Sequence, residues 1–99
     1  MAKTVLITDA ACESGKMTAR RYLDDGWNVV AGMRRPALHQ EFNHMEQVLV
    51  VALDVTNREM AEAALWQAKS YFGKIDAVIN NADYGDAVAD ITIGLSQTA

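Results

Sequence analysis

The run Val5-Leu6-Ile7-Thr8-Asp9-Ala10-Ala11-Cys12-Glu13-Ser14-Gly15-Lys16 constrains the fold of this chain more than any other stretch. An apolar strand passes through a tight turn directly into a helix. At such a junction the first backbone N–H groups of the helix have no partner inside the helix and point at the turn. Together with the helix dipole they form a seat for an anion such as a phosphate. The side chains argue the other way. Asp9 and Glu13 are acidic, and Gly15 is the one glycine in the turn. Backbone pattern and charge pattern point in opposite directions over the same few residues.

Downstream, the hydropathy pattern alternates. Apolar runs at 4–8, 28–33, 48–53 and 75–80 predict strands, and helices are expected over 15–25, 37–45 and 57–72. The strands are continuously apolar, as in a parallel sheet covered on both faces. Gly26 and Gly73 stand just past helices, where a left-handed residue ends the helix. Pro36 opens the middle helix at a position where its missing N–H costs nothing. Thr56 and Glu59 fit a capping box at the start of the third helix. Met60, Ala64, Ala68 and Tyr71 then share one face beside Ala61, Leu65 and Phe72, which predicts that face as core.

Short connections between alternating strands and helices imply right-handed βαβ units. The expected architecture is α/β: a three-layer, doubly wound parallel sheet of four strands in the order 3-2-1-4, helices on both faces. The domain is expected over residues 1–86, with 87–99 as a tail in which Gly94 interrupts the alternation of Ile91, Ile93 and Leu95.

Composition narrows the function classes. Ninety-nine residues, 51 % of them apolar, suit a single domain with one core. A net charge of −4 argues against nucleic acid or an anionic membrane as the main partner. No apolar run approaches the ~18–20 residues of a membrane span. Cys12 is the single cysteine, so no disulfide forms within the chain. With no signal-peptide pattern ahead of the first strand, the expected location is cytoplasmic.

Four motifs, in this order on these elements, resemble the N-terminal part of a classical short-chain dehydrogenase/reductase, a Rossmann-type family. The turn Thr8–Gly15 matches T-G-x-x-x-G-I-G in frame, and Asp54-Val55 follows the third strand. Phe72-Gly73-Lys74-Ile75-Asp76 precedes the fourth strand, and Asn80-Asn81-Ala82-Asp83 follows it where the family has N-N-A-G. The resemblance implies a dinucleotide held by Thr8, Gly15, Arg34, Asp54, Val55, Asn80 and Ala82. Met33-Arg34-Arg35 stands where NAD users tend to carry an acid, so the implied cofactor is NADP(H), with arginine for the 2′-phosphate.

The chain also departs from that family. Asp9 and Glu13 replace the first two glycines of the turn, and Asp83 replaces the glycine of N-N-A-G. A carboxylate about 4 Å from one phosphate charge costs on the order of 4 kcal/mol at an effective dielectric near 20. That is roughly a thousandfold in affinity, so cofactor binding is expected to be weak or lost. The family's catalytic Tyr-x-x-x-Lys is not found. Tyr22, Tyr71 and Tyr84 are followed at the lysine position by Gly26, Ile75 and Val88. The expectation is a truncated NADP(H)-binding domain without oxidoreductase activity.

Three other roles are open. Asp9, Glu13 and Asp83 offer oxygen ligands for a divalent cation, with solvated loop acids as the plainer explanation. Cys12, just ahead of a helix, is a candidate nucleophile, although Glu13 beside it opposes thiolate formation. A redesigned Rossmann scaffold, structural or self-assembling or carrying either of those sites, is the alternative to a vestigial cofactor module. Finally, the strand at 75–80 is expected to be an exposed sheet edge, and pairing into a homodimer would cover it.

Overall fold

Five consecutive residues, Thr4–Thr8, form the central strand β1, and all five are buried. Burial on both faces requires a layer on each side, and the chain supplies one from each of its helices. In the computed structural model, residues 2–38, 42, 45–54 and 56–80 are described. Strand β1 is followed by helix α1 (Glu13–Asp24), strand β2 (Asn28–Met33) and a 3₁₀ turn at Pro36–Leu38. Strand β3 (Val48–Ala52), helix α2 (Arg58–Phe72) and strand β4 (Ala77–Asn80) complete the order.

The strands make one parallel sheet in the order β3-β2-β1-β4, as the alternation predicts. Leu6 lies opposite Val30 and Val78, and Val30 opposite Leu49, so successive apolar residues stack across the sheet. Side-chain alternation then divides the core in two. Leu6, Val30, Val51 and Leu53 face α2 and meet Ala61, Ala64, Leu65 and Ala68. Val5, Ile7, Val29, Ala31 and Met33 face α1 and pack with Ala19 and Phe42. The result is a three-layer α/β fold of the Rossmann type.

The helix ends follow local chemistry. Gly26 and Gly73 both adopt φ of +85°. Gly73 caps α2 by donating its N–H to the Lys69 carbonyl at 2.8 Å. Tyr22 and Trp27 meet edge to face at 4.9 Å and pin the end of α1 to the start of β2.

Three expectations are corrected. Of the expected middle helix, Pro36–Leu38 form a 3₁₀ turn, Phe42 lies in a turn and Met45 is not helical, while residues 39–41, 43 and 44 lie outside the described residues. The N-cap of α2 is Asn57 rather than Thr56. Its Oδ1 accepts from Met60 N at 3.2 Å, while the Thr56 hydroxyl donates to Asp54 instead. Tyr71, expected in the core, is 56 % exposed, because α2 lies over the outer strand β3 and part of its flank overhangs the sheet. Residues 81–99, including the expected tail, lie outside the described residues.

Candidate functional site at the carboxyl edge of the sheet

Because all four strands are parallel, their carboxyl ends share one edge. Thr8 ends β1, Met33 ends β2, Ala52 ends β3 and Asn80 ends β4. The structure therefore brings Thr8, Asp9, Cys12, Glu13, Gly15, Arg34, Asp54 and Asn80 to that edge. In open α/β sheets this is where ligands bind. Val55, Ala82 and Asp83 lie outside the described residues.

The first turn is tightly wound. Thr8 is fully buried, and its hydroxyl donates to the Ile79 carbonyl across the β1–β4 pair at 3.4 Å. Asp9 adopts φ of +53°, the one non-glycine residue with positive φ among the described residues. That is a conformation a glycine takes without strain, so the turn has a glycine-like backbone with an aspartate in it. Ala10 N then donates to the Gly32 carbonyl at 2.8 Å, which pins the turn to β2. A side chain on Gly15 would run into the Asp9 carbonyl oxygen and come within 2.8 Å of Ala10 Cα. Gly15 thus keeps the close packing of helix on turn that the third glycine of the pattern provides.

Cys12 is the N-cap of α1. Its Sγ accepts from Gly15 N at 3.3 Å and donates to the Asp9 carbonyl at 3.1 Å. The thiol therefore has a structural task of its own, standing where serine or aspartate usually caps. Glu13 opens the helix and is exposed. Water screens an exposed carboxylate, so its repulsion of a bound phosphate falls between about 1 kcal/mol, the bulk-water value, and the 4 kcal/mol figure. Among the described residues no three His, Cys, Asp or Glu side chains gather as a metal site.

The second turn is built differently. Asp54 Oδ1 accepts from the Thr56 hydroxyl at 2.6 Å and from Thr56 N at 3.0 Å. Asp54 also offers its carbonyl to Asn57 N at 2.9 Å. The Thr56 hydroxyl, then its N–H, hold the Asp54 carboxyl below the usual carboxylate range, and the positive charge of Arg34 adds to this. Arg34 and Asp54 stand just past the ends of the neighbouring strands β2 and β3.

Two residues at this edge escape the motif reading. Gly32 meets Leu53 so closely that a Cβ would stand 2.7 Å from its Cδ2, and its carbonyl anchors the first turn. A glycine inside a strand pattern is the available signal for such an approach. Thr56 orients Asp54, and its place two residues after an aspartate is the mark of an Asx turn.

The comparisons with known proteins agree with this geometry. The family model described as short chain dehydrogenase matches residues 3–94. The chain is 36 % identical over 84 residues to a serine 3-dehydrogenase of Agrobacterium fabrum, covering 83 % of this chain and 34 % of that protein. It is 37 % identical over 82 residues to an NADP-dependent 3-hydroxy acid dehydrogenase of Salmonella typhi, covering 79 % of this chain and 32 % of that one. It thus spans about a third of the length of these curated relatives.

Among solved structures, a short-chain dehydrogenase from Streptomyces avermitilis superposes with a TM-score of 0.86 at 21 % identity, over 99 % of this chain and 45 % of that one. That likeness speaks for the fold alone. ElxO with NADP bound superposes with a TM-score of 0.68 at 30 % identity, over 83 % of this chain and 35 % of its own. On the family match, the curated relatives and the shared sheet topology, this chain belongs to the short-chain dehydrogenase family.

Proposed function

We propose that these residues are the cofactor-holding part of an NADP(H)-type short-chain dehydrogenase, with pyrophosphate binding weakened by Asp9 and Glu13. The carrying observation is the placement of Arg34 directly after β2 and of Asp54 just after β3, at the carboxyl ends of two neighbouring strands. An arginine there suits a 2′-phosphate, and a carboxylate held ionised beside it suits a polar adenosine edge. The relative from Salmonella typhi, named as NADP-dependent, supports the same choice of cofactor.

The fit is uneven. The buried Thr8, the glycine-like backbone at Asp9 and the close-packed Gly15 suit a dinucleotide turn. The carboxylates of Asp9 and Glu13 do not suit the pyrophosphate, so the adenosine end carries the affinity. Within these residues no tyrosine has a lysine in the Tyr-x-x-x-Lys relation. They therefore hold and orient a cofactor and do not themselves supply the proton donor that hydride transfer needs.

Calorimetric titration with NADPH and NADH tests the reading. Glu13→Gly is expected to tighten NADPH binding by between about fivefold and a thousandfold, as the removed repulsion runs from water-screened to protein-like dielectric. Arg34→Ala is expected to weaken NADPH while leaving NADH unchanged. Equal losses for both cofactors would remove the NADP(H) assignment, and no response to Glu13→Gly would remove the repulsion.

A further inference from the structure

Along the outer strand β3 an open apolar groove sets exposed aromatic rings beside an unpaired strand edge. The β2–β3 ladder fixes which of its backbone groups face outward. Val29 N donates to the Gln47 carbonyl at 2.8 Å and Leu53 N to the Met33 carbonyl at 2.9 Å. In a parallel ladder alternate residues bond to the same neighbour, so Gln47, Leu49, Val51 and Leu53 face β2. The N–H and C=O groups of Val50 and Ala52 therefore face away from it. They have no backbone partner among the described residues, whereas Val48 N is taken by the Met45 carbonyl at 3.1 Å.

Beside this edge runs a groove of about 390 Å³ lined by Leu49, Val50, Trp66, Gln67, Ser70 and Tyr71. None of these is charged, on a chain of net charge −4. Trp66 is 70 % exposed and Tyr71 56 % exposed. The strand has no lysine, proline or bulge of the kind that guards natural sheet edges.

We propose that β3 is a self-association edge, pairing antiparallel with β3 of a second copy across a two-fold axis through Val50. Val50 of each copy then exchanges both backbone bonds with the other, and each Ala52 N donates to the opposite Val48 carbonyl. The same operation fixes the helices. Strands in a sheet are about 4.8 Å apart, and α2 lies over β3 and β2. The two α2 helices therefore come to roughly 10 Å between axes, a normal helix-packing distance. The overhanging flanks with Trp66 and Tyr71 are brought face to face.

Area supports the same partner. Two such rings per copy, exposed to this degree, offer up to roughly 600 Å² over the pair. That is more than half of the ~1,000 Å² a specific interface needs, before the strand and Leu49 are counted. The uncharged lining lets two acidic copies meet without opposed charges. The homodimer edge expected at β4 is thereby assigned to the opposite side of the sheet.

Sedimentation equilibrium of the full chain tests this, with Ala52→Pro and Trp66→Glu as variants. Ala52 N faces outward, so proline removes a donor that β2 does not use, and Trp66 is at the surface; circular dichroism checks that both keep the fold. The expected result is a dimer below about 100 µM that each variant weakens more than tenfold. Hydrogen exchange should also show Val50 and Ala52 amides protected in the dimer. A monomer at that concentration, or a dimer indifferent to both variants, overturns the proposal. The second outcome would move association to another surface.

Discussion

The two strand-to-helix turns at the carboxyl edge solve the same problem with different materials. Between β1 and α1 the chain closes on itself: Asp9 is left-handed, Cys12 caps with sulfur, and the packing against Gly15 leaves no room for a Cβ. Between β3 and α2 the turn is open, with Asp54 held by Thr56 and Asn57 capping through an amide oxygen. The first turn is defined by what cannot be added and the second by hydrogen bonds that can be removed one at a time. The first therefore holds its shape while carrying acidic side chains at Asp9 and Glu13. Backbone contacts through the Asp9 carbonyl, Ala10 and Gly15 fix that shape.

That contrast predicts unequal costs. Gly15→Ala places a methyl group against Asp9 and Ala10 backbone atoms, which cannot yield as a flexible side chain would. A loss of about 3 kcal/mol is expected in urea unfolding, the upper end of the usual overpacking range. Gly26→Ala is the control, since its Cβ would meet nothing within 4 Å and only the φ of +85° opposes it. About 1 kcal/mol is expected there. Equal costs at the two glycines would break the distinction between a packed turn and a merely left-handed residue.

The caps give the next effect. Asn57→Ala should cost about 1 kcal/mol, the ordinary value for losing an amide cap. Cys12→Ser should cost nothing and add a few tenths of a kcal/mol, since a hydroxyl oxygen accepts from a backbone N–H better than sulfur does. Paired unfolding curves check both. A large loss in Cys12→Ser would mean that sulfur fills space at the turn that oxygen leaves empty.

Much of the fold was legible, for physical reasons that also mark where legibility stops. The bounds of β1 and β2 follow from unbroken apolar runs buried on both faces. The start of β4 did not follow, because Asp76 is drawn to β1 before the strand begins: its carboxylate accepts from Thr4 N and its own N–H donates to the Thr4 carbonyl, each at 2.7 Å. Thr56 and Asn57 are both good caps in isolation, and Asp54 decides between them by taking the Thr56 hydroxyl. Tyr71 sits at the border of the helical stripe, where exposure depends on whether the sheet extends beneath it, and β3 is the last strand on that side. At the site, spacing located the turn and its glycine. It could not show that Asp9 holds a glycine-like φ or that Gly32 carries the anchoring carbonyl, since both arise from contacts between strands.

The smallest expected effect concerns pH and belongs to the open turn alone. The Asp54 carboxyl is held below its ordinary range, first by the Thr56 hydroxyl, then by Thr56 N, with Arg34 adding its charge. A group whose folded pKa is depressed stabilises the fold above its unfolded value, near 3.9, and that contribution is lost as pH falls through the lower, folded value. Asp54→Asn keeps an acceptor oxygen and removes the titration. Its stability gap from the parent chain should be full above about pH 4 and narrow as the solution is acidified below it. Thr56→Ala should move the Asp54 carboxyl carbon titration upward, toward the ordinary value, because it removes the largest of the three causes. An upward shift larger in Arg34→Ala than in Thr56→Ala would instead make Arg34 the main holder of the carboxylate. The edge would then read as an ion pair between β2 and β3 rather than as an Asx turn that a neighbouring arginine assists.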